Sequence, residues 1–167
     1  EGNGPADLME VTYLLAEEVS RLVGRPLYRA ELEKAVSSGR ARERFDQWAE
    51  LQGADPDWLR SPRLDLAPVE RPLRARRPGR LAHVDTRQIG MLLIEAGAGR
   101  FRPDSKIDYG VSLETRARLG DEVREGDELA RIWLRREDDG LAERFEECFT
   151  VGDEGAAPEL ILEAITP

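Results

Sequence analysis

The sequence predicts an α+β protein in which a helical segment precedes a mixed α/β domain. Apolar residues recur at three- and four-residue steps through the first third of the chain, as in an amphipathic helix. Four prolines between residues 62 and 78 rule out a long helix there and favour extended or edge-strand geometry. After residue 81, short apolar runs alternate with turn-forming glycines and aspartates. We therefore predict a helical segment at 1–59, a connection at 60–79 and an α/β domain at 80–167.

Three helices are predicted in the first segment. The first ends at Gly24 and Pro26, the second runs from about residue 29 to 36, and the third ends at Gly53. The stripe of the first helix consists of Leu8, Val11, Leu15, Val19, Leu22 and Val23. No helix is apolar all round, so their apolar faces must pack against further structure.

The second segment mixes strands and helices. Asp85 is a good N-cap for a helix that carries Ile89 and Leu92, and Gly97 suits the C-terminal end of that helix. Strands are predicted at residues 81–84, 111–118, 129–134 and 160–165, and an acidic helix at 141–149.

Composition excludes several classes of function. The 167-residue chain has a net charge of −9, which argues against broad binding of nucleic acid or anionic membranes. Cys148 is the only cysteine, so neither an intrachain disulfide nor a thiolate metal cluster is possible. The longest apolar run, residues 91–94, is too short to cross a bilayer. The N-terminus shows no signal-peptide pattern, and we expect a cytoplasmic protein.

The run Gly97-Ala98-Gly99-Arg100 invites interpretation as a phosphate-binding loop. Phosphate loops precede a helix, where free N–H groups face the anion, whereas these glycines follow one. We therefore favour a structural role, with glycine in a left-handed cap and Arg100 complementing the negative end of the helix.

His83 and its neighbours are the next candidates. Asp85 could orient His83, since residues two apart on a strand share a face, but a lone strand histidine is more often structural. Asp85-Thr86-Arg87 could form a ligand-binding trio, although an N-cap role explains Asp85 without a ligand. For Arg87 an inter-domain ion pair is plausible. Cys148, Trp48, Trp58 and Trp133 are interpreted as core residues.

Three motifs in order resemble the C-terminal region of the pyrimidine-nucleoside phosphorylases, the family of thymidine phosphorylase. They are Val84-Asp85-Thr86-Arg87-Gln88-Ile89-Gly90, Gly97-Ala98-Gly99-Arg100 and Lys106-Ile107-Asp108-Tyr109. Weaker matches begin at residues 2–8 and continue through Ser38-Gly39 and 52–55. The proline-rich stretch and Ser112, where relatives often have glycine, depart from the family pattern. The resemblance implies a hammerhead-like, barrel-sandwich-like domain.

Residues 119–129 add a second pattern that fits this domain. Their paired Gly-Asp steps resemble the turns of biotinyl and lipoyl carriers, whose sandwich is similar to the phosphorylase C-terminal domain. A carrier needs a modifiable lysine at a hairpin tip, and neither Lys34 nor Lys106 has that context. The acidic run also lacks the spacing of an EF-hand.

The family activity implied by the resemblance is phosphorolysis of a pyrimidine nucleoside to the free base and a pentose 1-phosphate. In the family, a Lys-His-Ser-like loop holds phosphate and a Tyr, Arg, Ser and Lys set holds the base; these motifs do not occur in this sequence. No catalytic, substrate-binding or metal residue is therefore assigned, and no cofactor is expected. The roles of His83, Arg87 and Arg100, and the choice among thymidine, uridine and nucleotide substrates, stay open.

The resemblance also implies partners. The chain would be scaffold and closing jaw of an enzyme whose upstream part binds phosphate and the nucleoside, and that enzyme would be a homodimer. The alternative is a stand-alone binding or interaction module on the same domain. The first hypothesis predicts a reading frame that extends upstream, and the second predicts a start codon near Glu1.

Overall fold

The computed structural model describes residues 4–100, 102–163 and 165. The chain divides into two compact units. The first consists of residues 1–63 together with 159–167, and the second of residues 64–158.

The first unit is helical. It contains α1 (Ala6–Leu22), α2 (Arg29–Ser37), α3 (Arg40–Leu51) and a short α4 (Pro56–Arg60). The three predicted helices are confirmed with similar bounds, and α4 is an addition that the sequence did not suggest to us. Glycine with positive φ follows each of the first three helices, at Gly24, Gly39 and Gly53. Only glycine adopts this geometry without strain, which explains why the predicted ends are accurate.

Polar contacts hold α1 against α2. The Arg29 guanidinium donates to both carboxylate oxygens of Glu10 at 2.7 and 2.9 Å and lies 5.0 Å from the centre of the Tyr13 ring. The buried Ser20 hydroxyl accepts a hydrogen bond from the Leu27 amide at 2.8 Å. The join is therefore made largely by charge and hydrogen bonds.

The predicted apolar stripe of α1 faces outward. Leu15, Val19 and Leu22 are 56 %, 59 % and 79 % exposed. Trp48 and Trp58, which we interpreted as core residues, are also exposed, so that interpretation is wrong for both. The predicted helical period is confirmed, but no described residue covers the apolar face of α1.

The second unit contains six strands and two helices among the described residues. They are β1 (Val69–Arg74), β2 (Gly79–Val84), α5 (Thr86–Leu93), β3 (Ser112–Thr115), β4 (Glu122–Val123), β5 (Glu128–Leu134), α6 (Asp139–Glu146) and β6 (Phe149–Gly152). The strands form two antiparallel sheets, in the orders β1-β5-β3 and β4-β2-β6. The predicted α+β class is confirmed, and the described strands close no barrel.

A single apolar core lies within this unit. It includes Phe145, Leu81, Leu92 and Ile132, each of which has no accessible surface. Leu81 comes from the β4-β2-β6 sheet, Ile132 from the β1-β5-β3 sheet, and the other two from α5 and α6. Both sheets and both helices therefore contribute to one core.

Strand β1 lies inside the proline-rich stretch. It occupies one edge of its sheet, pairs only with β5, and places Pro72 opposite Arg131. Proline has no N–H to donate and is tolerated at an edge, so the predicted edge-strand geometry is confirmed.

Two predicted elements differ near the C-terminus. The closing strand at 160–165 is wrong, because its described residues form no strand. The strand that pairs with β2 is β6, which begins at Phe149, while the acidic helix already ends at Glu146. The apolar run Leu160-Ile161-Leu162 has the composition of a strand, whereas β6 is only four residues long and begins two residues after a helix.

Candidate functional site

The connection from α5 to β3 is the best candidate for a functional surface. Helix α5 continues into a π-helical turn, Ile94–Ala98, which breaks at Gly97 with φ of 105°. A side chain at Gly99 would approach Ile94 Cγ1 to 2.6 Å, so only glycine fits there. The predicted cap role of Gly97 is confirmed, because this glycine takes the left-handed conformation at the end of the helix.

Asp108 fixes the base of this connection. Its amide donates to the Gly97 carbonyl at 2.9 Å, and its carboxylate accepts from Arg135 Nε and Nη2 at 2.6 and 2.7 Å. Oδ1 also accepts from the Gly110 amide at 3.0 Å. The Arg135 guanidinium and these backbone donors lower the pKa of Asp108 to about 2. The chain is thus closed into a loop, residues 97–110, which we call the braced loop.

Gly110 joins the braced loop to the rest of the unit. Its carbonyl accepts from the Ala67 amide at 2.8 Å. A Cβ at this position would lie 2.6 Å from both Arg135 Nη2 and the Asp65 carbonyl. Close backbone approach therefore requires glycine, and it locks the base of the loop to β5 and to the segment before β1.

The outer part of the braced loop carries exposed cations. A tight turn orders it, since the Ser105 amide donates to the Arg102 carbonyl at 3.0 Å and Ser105 Oγ accepts from the Arg102 amide at 3.1 Å. Arg100, Arg102 and Lys106 are exposed, and none forms an ion pair with a described residue. Arg100 also makes no hydrogen bond to the carbonyls at the end of the preceding helix, unlike the predicted role.

The structure separates the His83 candidates. Asp85 Oδ1 accepts from the Gln88 amide at 2.8 Å, which confirms its predicted N-cap role. His83 is exposed on β2 opposite Thr150, and its ring has no hydrogen bond within the described part of the chain. Arg87 is exposed in the first turn of α5. The possible His83–Asp85 pair is not formed, so these residues make no acid–base site here.

The predicted turns at 119–129 are confirmed. Gly120 and Gly126 have φ of 90° and 87°. Asp121 accepts from the Arg118 amide and Asp127 from the Arg124 amide, both at 2.8 Å. Lys34 lies in α2 and Lys106 in the braced loop, so neither lies in these turns. The two Gly-Asp steps are used locally, to turn the chain on either side of β4.

Cys148 is a core residue, as predicted. It is 4 % exposed, and its thiol donates to the Arg144 carbonyl at 3.3 Å. Burial raises the pKa of the thiol, and the carboxylates of Asp85 and Glu147 raise it further. This environment favours an inert thiol. Trp133 is half-buried, packs against the core and donates to Glu70 at 3.3 Å.

The described residues provide neither a metal-binding cluster nor a membrane-spanning helix. No group of three or more histidine, cysteine, aspartate or glutamate side chains among them is placed to hold a metal ion. None of the described helices has the length and apolar character needed to cross a membrane.

The Asp108–Arg135 pair is the contact that sequence reasoning missed. The two residues are 27 positions apart, on a loop and just after a strand, and no local pattern joins them. Asp108 did fall within a motif that carried the family resemblance. The motif identified the region around Asp108 but gave no information about its partner, Arg135.

The chain is similar to one family of known proteins. Residues 81–152 match the family model described as the pyrimidine nucleoside phosphorylase C-terminal domain. The chain is 30 % identical over 172 residues to the pyrimidine-nucleoside phosphorylase of Staphylococcus aureus strain USA300, covering 99 % of this chain and 40 % of the relative. The protein of strain MSSA476 is 30 % identical over 167 residues, 96 % of this chain and 39 % of the relative. The chain spans about two fifths of the length of these relatives.

Proposed function

We propose that the chain is the C-terminal portion of a pyrimidine-nucleoside phosphorylase, because residues 81–152 match the family model of the C-terminal domain and the chain is similar to such enzymes over 99 % of its length. The complete enzyme would use phosphate to displace the base of thymidine or uridine, giving the free pyrimidine and a pentose 1-phosphate. The observation that carries the proposal is the similarity over 99 % of this chain to proteins about two and a half times as long.

In this proposal the chain is scaffold and closing jaw. Phosphorolysis requires several donors around a phosphate dianion and polarisation of the leaving base. Those groups would be supplied by the upstream part, and closure over the substrate would exclude water. The proposed division is a helical segment at 1–59, a connection at 60–79 and the C-terminal domain at 80–167. We propose a homodimeric cytoplasmic enzyme, with the chain inactive alone.

The exposed stripe of α1 supports an upstream partner. Leu15, Val19 and Leu22 lie on one face and remain more than half exposed. Contiguous apolar surface of this kind marks an interaction site. We propose that upstream helices of the same enzyme cover it.

The direct test is an assay of phosphate-dependent release of thymine and uracil from their nucleosides. The chain alone and its complete reading frame are assayed in parallel, each with and without phosphate. We expect activity only in the complete protein and only with phosphate. Activity of the 167 residues alone would overturn the role of a non-catalytic jaw.

A second candidate, a stand-alone interaction module, is favoured by the self-contained core of the second unit. This candidate predicts no phosphorolysis by the chain alone or by the product of its complete reading frame. A charge on the α1 stripe separates the two hypotheses further: Val19→Glu should leave the isolated chain folded but impair a complete phosphorylase. The matched control is Glu18→Gln, at an exposed position one residue away.

A further inference from the structure

We infer that one face of α3 docks against the upstream portion of the enzyme and thereby completes the packing of the first unit. The face consists of Phe45, Trp48 and Leu51, and we call it the aromatic face. It lies on a different helix from the α1 stripe, to which the proposed function already assigns a cover. The inference rests on the proposed function, because it takes that upstream portion as the occupant.

The three side chains of the aromatic face form one continuous surface. They follow one another at steps of three residues along α3, which makes them neighbours on one side of the helix. The rings of Phe45 and Trp48 are tilted by 43°, with their centroids 6.0 Å apart. They are 50 % and 59 % exposed, and Leu51 is 86 % exposed. Contiguous apolar side chains of this size mark an interaction site, whereas single exposed ones are ordinary surface.

Helix α3 buries very little against its own unit. Ala49 is the one buried residue among the 12 residues of the helix, and the aromatic face holds all of its large apolar side chains. A helix of this length is marginal in water, and most of its stability in a protein comes from packing of its apolar face. Without a cover, α3 therefore lacks the main contribution to its stability.

This requirement favours a permanent neighbour as the occupant. Obligate interfaces are more hydrophobic than transient ones, because they are never exposed to water after assembly. The chain spans 40 % of the Staphylococcus aureus relative, so about three fifths of that protein lies outside the matched region. In an enzyme of that length the remainder is always available to cover the face. An anionic membrane is disfavoured, since the chain has a net charge of −9.

Trp48 is the expected anchor of the contact. Tryptophan is among the residues that most often dominate the binding energy of an interface. Trp58, the other tryptophan of the first unit, is tied to its own chain, because its Nε1 donates to the Arg63 carbonyl at 3.3 Å. The indole of Trp48 makes no hydrogen bond to a described residue.

Acrylamide quenching of Trp48 fluorescence tests the inference. The isolated chain is compared with the complete protein, and the signal of Trp48 is taken in each as the difference between the wild type and Trp48→Phe. We expect quenching to be roughly threefold weaker or less in the complete protein, because a docked anchor is shielded from solvent. Equal quenching in the two proteins would overturn the inference.

A matched pair of variants on α3 sharpens the test. Trp48→Gln removes the anchor, and Gln47→Glu changes an exposed neighbour outside the aromatic face. Trp48→Gln should shift the unfolding temperature of the isolated chain by about 2 °C or less, and lower that of the complete protein by about 4 °C or more. Gln47→Glu should have little effect on either, and Trp48→Phe should restore part of the loss. An equal shift in both proteins would place the contact of Trp48 within the chain and contradict the inference.

Two further measurements keep the outcomes distinct. If sedimentation shows the isolated chain to be a dimer that Trp48→Gln dissociates, the occupant is a second copy and the inference is wrong. Thymine release by the complete wild-type protein reports on the proposed function alone. An inactive protein in which Trp48 is shielded would sink the proposed function and leave the docking contact supported.

Discussion

The two units of the chain bury their apolar residues to very different extents. Among the described residues of the first unit, only Ser20 and Ala49 are buried. The second unit holds a cluster of 17 buried residues, including the fully enclosed Phe145. The first unit is held together largely by ion pairs and hydrogen bonds, whereas the second unit has an apolar core in addition to its own ion pairs.

This difference indicates where stability originates. Burial of apolar surface contributes about 25 cal/mol per Å², whereas exposed ion pairs contribute roughly 0–1 kcal/mol each. The second unit therefore has the larger intrinsic driving force for folding. The stability of the first unit depends more on contacts to its exposed apolar faces. We therefore expect the same type of substitution to change the stability of the two units by unequal amounts.

The largest contrast is expected between two phenylalanines. Phe145→Ala removes a ring with no exposed surface and should cost about 3–5 kcal/mol of unfolding free energy. Phe45→Ala, in α3, removes a ring that is 50 % exposed and should cost roughly 1 kcal/mol or less. Urea unfolding followed by circular dichroism measures both. Equal losses would contradict the division into cored and uncored units.

Gly79 should be the next most sensitive position. Its φ is 148°, and a Cβ there would collide with the Gly152 carbonyl across the β2–β6 pair. Gly79→Ala should therefore destabilise the second unit by about 1–3 kcal/mol. The same urea titration gives the value, and an unchanged midpoint would show that this register is more adaptable than the structure indicates.

Gly90 is the matched control, with an effect of opposite sign. It lies within α5, and nothing lies within 4 Å of a Cβ at this position. Gly90→Ala should stabilise the isolated chain by about 0.5–1 kcal/mol, because alanine loses less backbone entropy in a helix. A destabilised variant in thermal unfolding would mean that the space is not open.

The smallest expected effect is the loss of folding stability at acidic pH. The pKa of Asp108 is about 2 in the folded chain, below its ordinary value of 3.8, so the carboxylate stabilises the fold fully above pH 4. This contribution is lost as the pH falls from about 4 to about 2. In urea unfolding at pH 7, Asp108→Asn should lower the urea concentration at the midpoint. The difference in midpoint between this variant and the wild type should become smaller as the pH falls through the same range. If the midpoints of the two proteins changed equally with pH, this would contradict a stabilising role for the Asp108–Arg135 ion pair.

The first unit also shows how far sequence reasoning extends. Its three main helices were predicted closely because glycines with positive φ end them, and that signal is local. What faces the apolar stripe could not be predicted, since a helical period marks a face without naming its neighbour. The same limit made Trp48 and Trp58 look like core residues.

In the second unit, errors arose where tertiary pairing decides the structure. Strand β6 begins only two residues after α6 ends. The acidic pattern led us to extend the predicted helix to residue 149, so the start of β6 was not predicted. The Gly97 turn was predicted from local conformation, but the Asp108–Arg135 contact depends on bringing a loop to the end of β5. The candidate surface was thus predicted from its motif, whereas the contact that fixes its base was not.

The burial of Cys148 makes the chain its own reporter. The protein has a single thiol, and it lies in the core of the second unit with no counterpart in the first. An alkylating reagent can reach it only when that unit opens, so the rate of labelling gives the opening frequency of one unit in the presence of the other. Because the first unit has no thiol, the labelling rate reports on the opening of the second unit alone.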